Sequence, residues 1–111
     1  MYDEEKYDES LVKFNELLAK DSNNAYAFYY RGMIYDAKEN KKEAIRDLTK
    51  AYQLNKDFLI CNYMIASDYD SLKDFKNAYK YYIAYANSNA DDDQYKEYAK
   101  ARAEELKDYA K

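Results

Sequence analysis

The apolar pattern of the chain recurs every 34 residues, and this period constrains the fold more than any other feature of the sequence. Phe14, Leu48 and Tyr82 share one register. Further registers hold residues of largely matching size or polarity: Ser10, Ala44 and Ala78; Leu11, Ile45 and Tyr79; Leu17, Ala51 and Tyr85. A fixed period of this length is typical of proteins that stack copies of one supersecondary unit, because neighbouring copies then bury a continuous core.

Each unit is predicted to be a pair of helices. The helical spacing i, i+3, i+4, i+7 occurs twice within residues 25–58. The residues at this spacing are Phe28, Arg31, Gly32 and Tyr35 in the first set, and Leu48, Ala51, Tyr52 and Asn55 in the second. With no Pro and a single Gly in 111 residues, short polar turns are the only breaks between helices.

Short polar side chains stand where three of the helices are expected to begin. Asn40, Asp57 and Asp74 are predicted N-caps, because a side-chain oxygen there accepts a backbone N–H that has no partner within the helix. Glu43 follows Asn40 by three residues, which predicts a variant of the capping box.

The unit resembles the tetratricopeptide repeat, whose 34-residue pattern reads W-x2-L-G-x2-Y, then A-x3-F, then a late Pro. Residues 25–58 match it best, through Phe28, Arg31, Gly32, Tyr35, Ala44, Leu48 and Ala51. Residues 59–92 place Asn62, Ile65, Ala66, Tyr69, Ala78 and Tyr82 at the same positions. The late Pro is absent, since Ser22, Lys56 and Ala90 replace it, and Tyr85 stands where the pattern has a small residue.

The resemblance implies an all-α fold, an α-solenoid of antiparallel helix pairs in a right-handed superhelix with about six helices. The chain then divides into a half repeat at 7–24, repeats at 25–58 and 59–92, and a capping helix at 93–111. We expect a single domain and the C-terminal piece of a longer array. Asp91–Asp93 are predicted to cap the last helix, whose inner stripe is predicted to be Tyr95, Tyr98, Ala99, Arg102 and Leu106.

The composition excludes several functional classes. Without His, and with one Cys, the chain cannot form a His-containing catalytic triad, a Cys/His zinc site or an intramolecular disulfide. A pI near 4.9 disfavours nucleic acid as a binding partner. The sequence has no run of 18 apolar residues, so no membrane-spanning helix is predicted. No cofactor and no enzymatic activity are predicted. Cys61 is expected to be a small, buried apolar residue. A cytoplasmic location is the default expectation.

The remaining candidate site is a surface. In the family the first helix of each pair lines the concave groove, and here those helices carry few charges while the second helices carry many. The groove residues implied by this register are Tyr26, Tyr29, Met33, Asp36, Tyr63, Ser67 and Asp70. Tyr offers a large contact area with a hydrogen-bonding tip, and Met adapts to irregular partners. We therefore expect a non-catalytic interaction scaffold that binds a peptide or helix, with a neutral or basic segment favoured by Asp36, Asp68 and Asp70.

The alternative is a structural or self-associating role through the first helix. Residues 1–6 cannot supply the helix that a whole repeat would place before it. Its face around Leu11, Phe14 and Leu18 would then be covered by a second copy or would continue a longer array, because apolar helix faces rarely stay in water.

Overall fold

The structure is a computed structural model that describes residues 4–110. These residues contain six α-helices and a short terminal 3₁₀-helix, without a strand. Residues 1–3 and 111, which belong to the predicted lead-in and capping helix, lie outside the described residues. The helices are α1 Glu4–Lys20, α2 Ala25–Ala37, α3 Lys41–Leu54, α4 Ile60–Ser71, α5 Phe75–Ala86 and α6 Asp93–Leu106, followed by the 3₁₀-helix Lys107–Ala110. The predicted all-α fold with about six helices is confirmed.

The turns that join α2 to α3 and α4 to α5 repeat bond for bond. In the first, the Asn40 N–H donates to the Tyr35 carbonyl at 2.8 Å, and 34 residues later the Asp74 N–H donates to the Tyr69 carbonyl at 2.9 Å. The residue before each donor has a left-handed backbone, with φ 65° at Glu39 and 63° at Lys73. Gly is the usual residue in such a position. The sequence period is therefore also a period of the backbone.

Three helices begin with a side-chain cap. Asn24 accepts from the Ala27 N–H at 3.0 Å, and Asp92 accepts from the Tyr95 N–H at 3.1 Å. The predicted cap Asp74 accepts from an N–H of the first turn of α5, that of Asn77, at 3.3 Å. The predicted role of the 91–93 acidic run is thus confirmed at its middle residue.

Two of the predicted caps are wrong. Asn40 precedes α3, but its side chain makes no capping hydrogen bond, and its own N–H is bonded to Tyr35, so the predicted capping box is not formed. Asp57 lies before a turn rather than before a helix, because α4 begins at Ile60 with Leu59 as its N-cap.

The helix pairs cross closely where the repeat has small residues. A Cβ atom at Gly32 would lie 2.9 Å from Leu48 Cγ, so α2 and α3 approach more closely than any side chain there permits. Ala66 is the equivalent residue in the next unit, where it is fully buried in the cluster that contains Tyr82 and Tyr85. The large ring of Tyr85 fits because α6 faces this cluster through alanines.

The packing runs along the chain, since the principal contacts join consecutive helices from α1 to α6. The result is an elongated body of 41 × 28 × 25 Å. Helix α6 covers α5 with Ala99, Ala103 and Leu106. The prediction that Tyr95 and Tyr98 belong to this inner stripe is wrong: both rings are exposed, because the buried stripe is set by the spacing i, i+4, i+7 that begins at Ala99.

Candidate protein-binding face

Aromatic rings of α2, α4 and α6, and of the turn before α4, lie in two groups beside one hollow. We call the two groups together the aromatic row, and its members are Tyr26, Tyr29, Phe58, Tyr63, Tyr95 and Tyr98. In one group, the ring centroid of Phe58 lies 4.8 Å from that of Tyr26 and 5.2 Å from that of Tyr29. In the other group, the ring centroid of Tyr63 lies 5.0 Å from that of Tyr95 and 6.1 Å from that of Tyr98. Phe58 and Tyr95, one ring from each group, line the same hollow.

A hollow of about 580 Å³ lies between the two ends of the row, and we call it the acidic hollow. Its apolar wall is formed by Phe58, Leu59, Ile60, Tyr85, Ala90 and Tyr95, and its polar rim by Asp57, Asn89, Asp91 and Asp92. The three rim carboxylates are exposed, and the ion pairs within residues 4–110 do not include them. Burial first, and then the negative charge of Asp92, raises the pKa of Tyr85 at the floor. The hollow therefore combines apolar walls with carboxylates that form no ion pair among the described residues. One of them, Asp92, caps α6, and Lys96 Nζ donates to the Ala90 carbonyl of the hollow at 3.1 Å.

Three of the predicted groove residues belong to the aromatic row: Tyr26 and Tyr29 lie together against Phe58, and Tyr63 lies in the other group. Tyr26 is exposed, while Tyr29 and Tyr63 are half-buried members of the aromatic row. Burial raises the pKa of both half-buried phenols, so they remain neutral donors at physiological pH. Ser67 lies half-buried one turn after Tyr63 on α4. Met33 lies apart from the row, in a second hollow between α1 and α2.

The carboxylate of Asp70 is engaged within the fold. Arg102 donates to it through two nitrogens, at 2.7 and 2.8 Å, and the Tyr82 hydroxyl donates at 3.0 Å. The hydrogen bonds from Arg102 hold the pKa of Asp70 below its usual value. This predicted groove residue therefore fastens α6 to α4, and its charge is largely compensated.

Asp36 forms part of a second internal cluster, with Lys41 and Asp68. Lys41 Nζ lies 3.2 Å from Asp36 Oδ1 and 3.6 Å from Asp68 Oδ1. Asp68 is buried, and its Oδ2 has no hydrogen-bond partner among the described residues. Burial, and then the adjacent Asp36 carboxylate, raises the pKa of Asp68 to about 9, so this side chain is protonated at neutral pH.

Cys61 is fully buried against α3, as predicted. Burial raises the pKa of its thiol to about 12. The thiolate required for nucleophilic or redox chemistry is therefore not formed at neutral pH.

Comparison with known proteins agrees with this architecture. Residues 25–58, which form the α2–α3 pair, match the family model of the tetratricopeptide repeat. This helix pair is similar to a tetratricopeptide repeat. Among curated proteins, it is similar to DnaJ homolog subfamily C member 3 of the chicken Gallus gallus, with 40% identity over 50 residues. The match covers 45% of this chain and 10% of that protein, so the chain corresponds to a small part of its relative.

Tetratricopeptide repeats, to which residues 25–58 are similar, are generally non-catalytic modules of protein–protein interaction. None of the helices within residues 4–110 is both long and apolar enough to cross a membrane.

Half of the aromatic row was not predicted from the repeat pattern. Tyr98 shares a register with Tyr30 and Met64, neither of which belongs to the row, so the period carried no signal for it. Phe58 carried no such signal, since it lies in the turn before α4, where helical periodicity is absent.

Helix α1 differs from the prediction. Leu18 is buried within the chain, so its assignment to an open face is wrong, while Leu11 and Phe14 are half-buried. The exposed apolar side chains of α1 are Val12 and Leu17. Helix α1 packs on α2, and Leu18 is buried, whereas the side chain of Leu17 remains exposed to solvent.

Proposed function

We propose that the chain is a non-catalytic scaffold that binds a neutral or basic peptide segment, extended or helical, along the aromatic row. The observation that carries this proposal is the acidic hollow, which adjoins exposed tyrosine rings. Tyr95 and Tyr98 are 44% and 52% exposed, so a ligand reaches them without unfolding any part of the chain. Aromatic rings on rigid helices bury a large area at little cost in conformational entropy.

The charge of the surface favours a basic segment. Asp36 and Asp70 are paired with Lys41 and Arg102 within the fold. The rim carboxylates Asp57 and Asp91 are exposed and form no ion pair among the described residues. An Arg or Lys side chain placed there gains both a carboxylate partner and a cation–π contact with a tyrosine face. An acidic segment meets like charge on the rim.

The experiment is selection of displayed random nonapeptides on the intact chain, followed by affinity measurements on the enriched peptides. We expect enrichment of peptides that combine basic and apolar residues. Their affinity should fall at least tenfold in the variant Tyr95→Ala/Tyr98→Ala. Tyr109→Ala is the control, because Tyr109 is an exposed tyrosine, at 61%, outside the row. Enrichment of acidic peptides, or equal losses in the two variants, would contradict the proposal.

A further inference from the structure

Helices α2 and α3 form a hollow of about 460 Å³ that includes no residue of the aromatic row. We call it the basic hollow. Its charged lining consists of Arg31, Arg46, Asp47 and Lys50, and its aromatic wall is Phe28. Three of the four charges are positive, although the whole chain carries a net charge of -4. The basic hollow therefore concentrates positive charge at one place on an acidic protein.

The single carboxylate that lines the basic hollow is engaged within the fold. Arg31 donates to Asp47 through Nε at 2.7 Å and through Nη2 at 2.8 Å. Its Nη1 donates to Asn15 of α1 at 2.8 Å, and its Cζ lies 5.5 Å from the ring centroid of Phe28. These bonds use three of the five N–H groups of the guanidinium, so two donors remain. Arg31 is thus a fixed cation that can still bind an oxyanion at little cost in conformational entropy.

The next repeat shows that the packing of a helix pair does not require this ion pair. Ile65 and Tyr81 stand 34 residues after Arg31 and Asp47, and they pack together in one apolar cluster. A buried ion pair often contributes no more to stability than apolar side chains of similar size. The charges of the basic hollow are therefore particular to the first repeat, and the repeat architecture does not explain them.

The other two cations of the basic hollow lie one turn apart on α3, the second helix of its pair. Arg46 and Lys50 are exposed, and the ion pairs within residues 4–110 do not include them. Side chains at this spacing share one face of a helix, so both are available to the same ligand. The half-buried ring of Phe28 adds an apolar contact. A ligand that matches the basic hollow therefore combines negative charges with an apolar side chain.

We propose that the basic hollow binds a short acidic segment of another protein, in which an aromatic side chain lies between carboxylates. The aromatic ring contacts Phe28. The carboxylates bind Arg46, Lys50 and the remaining donors of Arg31. Charge complementarity favours this partner, whereas nucleic acid binds through many phosphate contacts along a longer series of cations. Because the basic hollow and the aromatic row share no residue, the proposal does not depend on the function proposed for the row.

The test titrates the fluorescein-labelled peptide Glu-Glu-Phe-Glu-Glu with the intact chain and follows fluorescence anisotropy. We expect saturable binding that weakens at least tenfold with Arg46→Glu/Lys50→Glu. The matched control is Lys76→Glu/Lys80→Glu, because these two side chains are also exposed, lie one turn apart on α5 and change the net charge by the same amount. Circular dichroism should show unchanged helicity in both double variants, since all four side chains are at the surface.

Changes in the peptide and at Arg31 test the other contacts. The peptide Gln-Gln-Phe-Gln-Gln should not bind, because it has no carboxylate side chains, and Glu-Glu-Ala-Glu-Glu should bind more weakly, because it has no ring for Phe28. Arg31→Lys keeps a positive charge beside Asp47 but removes the forked donor, so it should also weaken binding of the acidic peptide.

Absence of saturable binding up to about 1 mM peptide, or equal losses in the two double variants, would overturn the proposal. Equal affinity for the Glu and Gln peptides, or tighter binding of an oligodeoxythymidylate than of the acidic peptide, would also overturn it. Sedimentation equilibrium showing a dimer that Arg46→Glu/Lys50→Glu dissociates would assign the basic hollow to a second copy in place of the proposed partner.

Discussion

At the scale of single residues, Asp68 is a carboxyl group that the fold keeps protonated. Its folded-state pKa of about 9 is far above the ordinary value of 3.8, because it is buried beside Asp36. Between these values the folded chain holds a proton that the unfolded chain has released, so the free energy of unfolding falls as the pH rises from about 4 to about 9.

Asn has the shape of a protonated Asp and does not ionise, so Asp68→Asn should remove this pH dependence. We expect the free energy of unfolding at pH 7 to rise by about 1 to 3 kcal/mol, with no difference from the parent chain near pH 4. Urea unfolding at a series of pH values measures both effects. Asp57→Asn is the control, because Asp57 is exposed. An Asp68→Asn chain that is less stable than its parent at pH 7 would show that the side chain is needed as an anion.

Lys73 has a left-handed backbone in the turn, at φ 63°. Its Cβ clashes with the backbone in this conformation, and Gly has no Cβ. The relief of this clash outweighs the greater conformational entropy that Gly gives the unfolded chain. Lys73→Gly should therefore raise the free energy of unfolding by about 0.5 to 1 kcal/mol. Lys76→Gly, at an exposed position inside α5, should lower it by about 1 kcal/mol. Changes of the same sign in the two variants would disprove the explanation from backbone conformation.

At the scale of elements, α6 is held by one ion pair in addition to its apolar stripe. Asp70→Asn removes the carboxylate to which Arg102 donates two hydrogen bonds. We expect a loss of about 2 kcal/mol in the free energy of unfolding. Because the pKa of Asp70 is lowered, its contribution is present at neutral pH and is lost as the pH falls below about 4 through the folded-state pKa.

Glu105→Gln provides the control for this ion pair. Glu105 also contacts Arg102, at 2.9 Å, but its side chain is exposed, and exposed ion pairs contribute little. Chemical denaturation at pH 7 compares the variants. A loss with Glu105→Gln as large as that with Asp70→Asn would show that burial of the pair is unimportant.

At the scale of the whole molecule, packing between consecutive helices makes stability a property of position along the chain. The core clusters draw their buried residues from α3, α4, α5 and α6, and α1 contributes only Leu18 to the buried apolar set. Native-state hydrogen exchange should therefore show the lowest opening free energies in α1 and the highest in α3 to α5. Equal protection of all six helices would contradict this expectation.

The sequence period predicted the helix pairs, because they depend on packing that repeats. The short polar residues predicted where α3, α5 and α6 begin. The period failed where a side chain has two possible partners. Asp70 could face a ligand or Arg102, and the two residues are 32 apart in the sequence, so only the folded chain reveals the pair. Tyr98 is apolar enough for the core but is displaced by Ala99 and Ala103, which allow α6 to lie closer to α5.

Helix α2 carries adjacent rings on two surfaces. The ring of Tyr29 belongs to the aromatic row, the ring of Tyr30 lines the hollow between α1 and α2, and their centroids are 5.3 Å apart. A change in the packing of α1 on α2 therefore reaches the row through a single pair of rings, so the row is not insulated from the N-terminal end of the molecule.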